Sequence, residues 1–222
     1  MAKQAYVYSG TDWVPLASEV TNLSGYYTKG EIDILDAPTG LKLLVPTSVT
    51  VGSGTGTASA SGTVTFSGAS SVSVNDVFST TYKHYIIYID LTGVSADASS
   101  YLKLRVSGTD ASTGYYYGIP ALASSGATSY RFANPATGGF EFGQTDAGNN
   151  AHKYSGRIDL FRPFETVNTT AHIQFVDITN AGTVSAGAGG GHHDSNTSYT
   201  GLTIYPSAGN FTGTVKIFGV KE

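Results

Sequence analysis

Residues 83–106 read KHYIIYIDLTGVSADASSYLKLRV, and the apolar positions in them alternate. Tyr85, Ile87, Ile89 and Leu91 fall on one side of an extended chain, His84, Ile86, Tyr88 and Asp90 on the other. Side chains in a strand point alternately to its two faces, so this spacing predicts a strand with one fully apolar face. Leu102, Leu104 and Val106 repeat the pattern against Tyr101, Lys103 and Arg105. The connector 93–100 is small and polar, which predicts that the two strands pair as a hairpin at the core of an all-β domain.

Further strand-like runs occur at 63–66, 71–75, 115–120, 129–133, 140–142, 157–161, 171–177, 201–205 and 213–220. None of the intervening segments has a 3.6-residue period, and Gly, Asn, Asp and Ser punctuate the gaps. The pattern predicts an antiparallel β-sandwich of jelly-roll type over residues 63–222. No internal repeat points to a propeller or solenoid.

The chain before this has a different character. AYVY, a turn at 9–12 and Trp13-Val14 predict a small hairpin within residues 4–16. Such a hairpin is marginal alone, which makes Trp13, with Tyr6 and Tyr8, candidate attachment residues. Thr28 and Glu31 have capping-box spacing, with Ile32 and Leu35 on one face of a helix that Pro38 and Gly40 end after about two turns. Residues 41–51 are extended in type, with Pro46 restricting them to an edge. Residues 52–63 carry nothing larger than threonine. They read as a flexible linker with an end-to-end distance of roughly 20 Å. The expected organisation is therefore an attachment segment at 1–40, an extended stretch and linker at 41–62, and the sandwich at 63–222.

Composition narrows the function. The 222 residues suffice for one sandwich and a small appendage. Only 13% are charged and the net charge is -4, which leaves no basic footprint for nucleic acid or an anionic membrane surface. With no cysteine there is no disulfide, thiolate metal site or cysteine nucleophile. The N-terminus lacks the apolar core of a signal peptide, and no apolar run is long enough to span a bilayer.

Candidate chemistry is sparse. His192-His193-Asp194, after AGAGGG, is the most metal-like cluster. Adjacent strand residues face opposite ways, so both imidazoles reach one ion only from an irregular loop, and no third ligand is well spaced. The expectation is a solvated glycine-rich loop without a metal. Residues 110–114 and 146–150 are rich in Asp, Asn and Gly but have turn chemistry rather than calcium-loop spacing. Glu141, Asp159, Glu165 and Asp177 are carboxylates that nothing in the sequence pairs, and no nucleophile elbow is present. The reading is a non-enzyme without cofactor. Tyr115, Tyr116 and Tyr117 form the main polar-aromatic feature, a candidate ligand surface with at least one ring exposed. The competing reading is that they cover edges of the core.

Several segments resemble bacteriophage virion proteins of the fibre and appendage type. YVYSGTDWVPLAS resembles their short tryptophan-containing N-terminal segment. YYTKGEID resembles the YYTKSEID segment that opens a helix in phage fibres, with Gly30 in place of serine. Residues 64–91, 102–117 and 198–220 resemble the C-terminal sandwich of tail and head fibres. The resemblance implies a virion structural protein assembled in the host cytoplasm. Such a protein is a tail fibre or appendage, often a homotrimer, joined to other virion proteins through its N-terminus. Its sandwich would contact a host-surface glycan or protein. A capsid decoration or head-fibre protein, and a carbohydrate-binding module or depolymerase, are the alternatives.

Overall fold

The alternating segments become strands, and the partner of each is decided by which face must be covered. The structure, a computed structural model, describes residues 6–8, 11, 13–15, 40–136, 138–147, 153–178 and 182–221. The chain divides into two compact units, Met1–Pro38 and Thr39–Glu222. In the first, β1 (Tyr6–Tyr8) pairs antiparallel with β2 (Trp13–Pro15), setting Tyr8 opposite Trp13 and Tyr6 opposite Pro15. The expected helix after Thr28 lies outside the described residues. Among the described residues there is no helix.

The second unit contains β3 (Leu41–Leu43), β4 (Ser48–Val51), β5 (Thr55–Ala58), β6 (Val64–Ala69), β7 (Val72–Asn75) and β8 (His84–Val94). They are followed by β9 (Ala98–Val106), β10 (Thr109–Asp110), β11 (Tyr115–Ala123), β12 (Thr128–Ala136) and β13 (Phe140–Thr145). The remaining strands are β14 (Tyr154–Phe161), β15 (Thr169–Ile178), β16 (Val184–His193), β17 (Gly201–Pro206) and β18 (Phe211–Val220). The large sheet has ten strands in the order β12-β11-β16-β15-β14-β8-β18-β6-β5, with β3 also on β18. The small sheet has six, in the order β10-β9-β17-β7-β4, with β13 also on β9. All pairings are antiparallel.

The expected hairpin at 83–106 does not form. β8 pairs with β14 and β18 in the large sheet, whereas β9 pairs with β17, β13 and β10 in the small one. The connector therefore carries the chain from one sheet to the other. Alternation identifies an apolar face but does not say which strand lies alongside. Two strongly apolar faces bury most area when they oppose each other across the interior. Tyr85, Ile87, Ile89 and Leu91 of β8 share one core with Leu102 and Leu104 of β9. The arrangement is sandwich-like, and the β6–β7, β12–β13 and β17–β18 connections switch sheets in the same way.

The linker at 52–63 is also corrected. β5 forms a hairpin with β6, closed by Ser59 N donating to Thr63 O (2.8 Å) and Gly62 N to Ser59 O (2.9 Å). β4 pairs with β7, and β3 with β18, so residues 41–62 belong to the sheets and the compact unit begins at Thr39. The reason lies in position. β5 is the last strand of the large sheet, exposed along most of its length, where ladder hydrogen bonds suffice and no large side chain is needed.

A chain starting at Thr39 is expected to melt cooperatively. One starting at Thr63, which lacks the partners of β18, β7 and β6, should melt at least roughly 10 °C lower in circular dichroism. Equal melting temperatures would show that β3, β4 and β5 are dispensable.

Candidate functional site

The two sheets present different outer faces. On the small sheet, Arg105 donates to Asn75 Oδ1 (2.8 Å) and Asp110 Oδ1 (2.6 Å), and Tyr101 stacks on Tyr205 with ring centroids 5.6 Å apart. That face is occupied by its own side chains. The outer face of the large sheet instead holds a trough of about 890 Å³. Its origin is β16, whose outward positions in this region carry only Ala186 and Ala188.

β16 contains the AGAGGG run at 186–191, expected as a loop and found as a central strand between β11 and β15. Glycine is required by close approach. A Cβ at Gly191 would collide with the Tyr116 carbonyl, and one at Gly187 would meet the Phe175 ring. The large inner-face side chains of the flanking strands, Tyr117 and Phe175, take the space above the glycines. No propensity scale marks such a strand, because its stability resides in its neighbours.

The lining of the trough is largely apolar, with Pro120, Leu122 and Val176 beside the β16 alanines, and it carries two tyrosines and a few polar groups. Tyr130 of β12 and Leu122 of β11 stand on one side, Tyr88 of β8 and Arg157 of β14 on the other, with Gln174 between them. Tyr130 is 71% exposed and Tyr88 40%, so both rings offer a face to solvent. Tyr88 is braced edge-on by Phe218 at 5.8 Å. Arg157 is held by Asp159 through two hydrogen bonds, Nε to Oδ2 (2.7 Å) and Nη2 to Oδ1 (2.8 Å). His84 Nε2 lies 2.8 Å from Asp159 Oδ1, and its ring stacks on Phe161 at 4.4 Å. Burial alone would raise the Asp159 carboxyl, but the hydrogen bonds from Arg157 and His84 prevail and hold it below the ordinary carboxylate range. The guanidinium is thus neutralised in place while remaining at the trough wall.

The tyrosine triplet separates as strand geometry requires. Tyr115 and Tyr117 point inward and are buried, and only Tyr116 lies on the outer face. The Tyr115 hydroxyl accepts from Leu104 N (2.9 Å) and donates to Ala111 O (3.2 Å), bridging the two sheets. Tyr117 donates to Glu141 Oε2 (3.4 Å). Burial raises both phenol pKa values well above the ordinary one. The candidate ligand surface is therefore corrected to Tyr116 alone, which stacks on His192 with centroids 4.8 Å apart and planes 2° from parallel.

His192 and His193 lie on opposite faces of β16, so they cannot share an ion. His193 is buried, and burial pushes its imidazole below its ordinary pKa. Its neutral Nδ1 accepts from Ser195 N (3.3 Å) and from the Tyr199 hydroxyl (3.4 Å). Asp194 donates its backbone N–H to Gly114 O (3.0 Å). Among the described residues no group of three or more His, Cys, Asp or Glu side chains could hold a metal ion.

Two carboxylates that the sequence left unpaired prove to share a partner. Arg131 of β12 turns inward, its Nε 3.1 Å from Glu141 Oε1 and its Nη2 3.4 Å from Asp177 Oδ2. Its guanidinium lies over the Phe175 ring, 4.5 Å from the centroid. Burial raises the Asp177 carboxyl, and Arg131 opposes the shift. This cluster ties β12 to β13 of the other sheet and to β15. Tyr88, Tyr130, Arg157 and Gln174 were not singled out from sequence; each is an ordinary outward residue of its strand, and only the strand order assembles them. Comparison with protein-family models, with curated proteins and with solved structures finds no match to this chain.

Tyr115→Ala should cost about 3–5 kcal/mol, since it opens a cavity and leaves Leu104 N unpaired. Tyr116→Ala should cost less than about 1 kcal/mol. Urea melts of the two variants check this, and equal losses would remove the inward-outward distinction.

Proposed function

We propose that this chain is a structural protein of a bacteriophage virion, a tail fibre or appendage subunit that contacts the host surface through its sandwich. The single observation carrying the host-contact reading is the trough on the outer face of the large sheet. An uncovered antiparallel face is ordinarily studded with charge, whereas this one is concave, walled by tyrosines and neutralised at Arg157. Tyrosines at the wall of a concavity give rigid contact area with little rotamer entropy to lose.

The virion assignment rests on the resemblance of residues 64–91, 102–117 and 198–220 to fibre sandwiches. Those stretches include β17, β18, most of β8 and the second half of β9, which lie in the interior of the two sheets. Repeated switching of successive strands between sheets supports the jelly-roll form. The separate unit Met1–Pro38 supports a division of labour, with Tyr6, Tyr8 and Trp13 docking onto other virion proteins. The proposed assembly is a homotrimer located on the virion.

The purified full chain is expected to scatter light as a trimer and, in molar excess, to block adsorption of particles that carry it. A monomer mass at micromolar concentration overturns the trimer, and unimpeded adsorption overturns host contact. Trp13→Ala should leave the sandwich melting unchanged while the chain disappears from assembled particles. Normal incorporation of that variant places the anchor elsewhere.

A further inference from the structure

Resting on the host-contact reading, we infer that the trough binds an uncharged oligosaccharide laid across the strands of the large sheet. Tyr88 and Tyr130 stand at opposite walls with exposed ring faces, and the floor between them, Ala186 and Ala188, is low enough to leave depth. Pyranose rings have apolar C–H faces that stack on aromatic rings and equatorial hydroxyls that both donate and accept. Gln174 carries an amide with both capacities, and Arg157 keeps the guanidinium hydrogens that Asp159 does not take, on adjacent strands directly opposite one another in the register. A ligand whose apolar faces lie on this mainly apolar lining and whose hydroxyls reach Gln174 and Arg157 matches the surface.

Charge selects within that class. Asp159 binds the Arg157 guanidinium through both oxygens, so the wall offers donors without net positive charge. An anionic glycan, a phosphate polymer or an acidic peptide gains no counter-charge there. Length follows from continuity. A second depression of about 270 Å³ shares Tyr88, Ser155 and Gly156 with the trough and is lined further by Asp90 of β8 and Lys216 of β18, charges of opposite sign that add no net charge. From β12 to β18 the surface crosses strands spaced about 4.8 Å apart, a span of roughly 25–30 Å, which suits a chain of sugars better than one ring. Tyr88 sits at the junction, braced by Phe218, and is the one aromatic ring that both depressions use.

The test presents the full chain to an array of uncharged hexose and N-acetylhexosamine oligomers, their monosaccharides, and sialylated or sulfated counterparts. Uncharged oligomers are expected to bind, monosaccharides and anionic oligomers not. Tyr88→Ala and Tyr130→Ala should each weaken that binding by at least about tenfold with the melting temperature preserved. Gln174→Ala serves as a second probe should Tyr88→Ala fail to fold. No uncharged oligomer bound, a preference for anionic ones, or binding indifferent to Tyr130→Ala and Gln174→Ala overturns the inference. So does a change of oligomeric mass in Tyr130→Ala, which would assign the trough to a second copy of the chain. Blocked adsorption without glycan binding leaves host contact standing and removes the oligosaccharide. Glycan binding without blocked adsorption does the reverse.

Discussion

β8 lies between β14 and β18 with its inner face set against the small sheet, and this placement constrains the rest of the unit. Ile87 is opposite Ile158 on one side and Ile217 on the other, so each apolar position of β8 extends into a row across three strands. Those rows need a cover, and β9 supplies one because its connector crosses between the sheets. Burying one such aliphatic side chain is worth about 1.5–3 kcal/mol, so opposing rows outweigh the local convenience of a hairpin. Once β8 and β9 are assigned to opposite sheets, the β10–β11, β12–β13, β13–β14, β16–β17 and β17–β18 connections cross in the same way, while β11–β12 and β14–β15–β16 stay in the large sheet.

The glycines of β16 have consequences on both sides of the sheet. Inward, they admit Tyr117 and Phe175, so that a strand with almost no side chains lies in a well-filled region. Outward, the small residues of the same strand leave the hollow between Tyr130 and Tyr88. One composition thus provides both packing and a binding surface. Substituting larger residues at the inward glycines would force strands apart, and larger outward residues would fill the hollow while leaving the core intact.

The existence of most strands was legible in the sequence because alternation is a local property. The runs at 84–91, 102–106 and 171–177 all lie within observed strands. Partnership was not legible, since nothing in residues 83–106 distinguishes a hairpin from a crossover. Strands without large side chains were missed altogether: β5 was read as a linker and β16 as a loop. The burial of Tyr115 and Tyr117 followed from their shared parity, but which parity faced inward depended on strands far away in sequence. The trough was the least legible feature, because Tyr88, Tyr130 and Arg157 are brought together by sheet order alone.

Arg131 sits on β12, the outermost strand of the large sheet, and points inward between Tyr130 and Phe132, which point out. A slip of one residue in the pairing of β12 with β11 would exchange these roles. It would drive two rings into an already filled interior, send the guanidinium to water, and strip Glu141 and Asp177 of their counter-charge. Stranding buried carboxylates in this way costs several kcal/mol. The ion cluster therefore acts as an error check on the register of an edge strand: a misaligned edge is penalised from inside the sandwich.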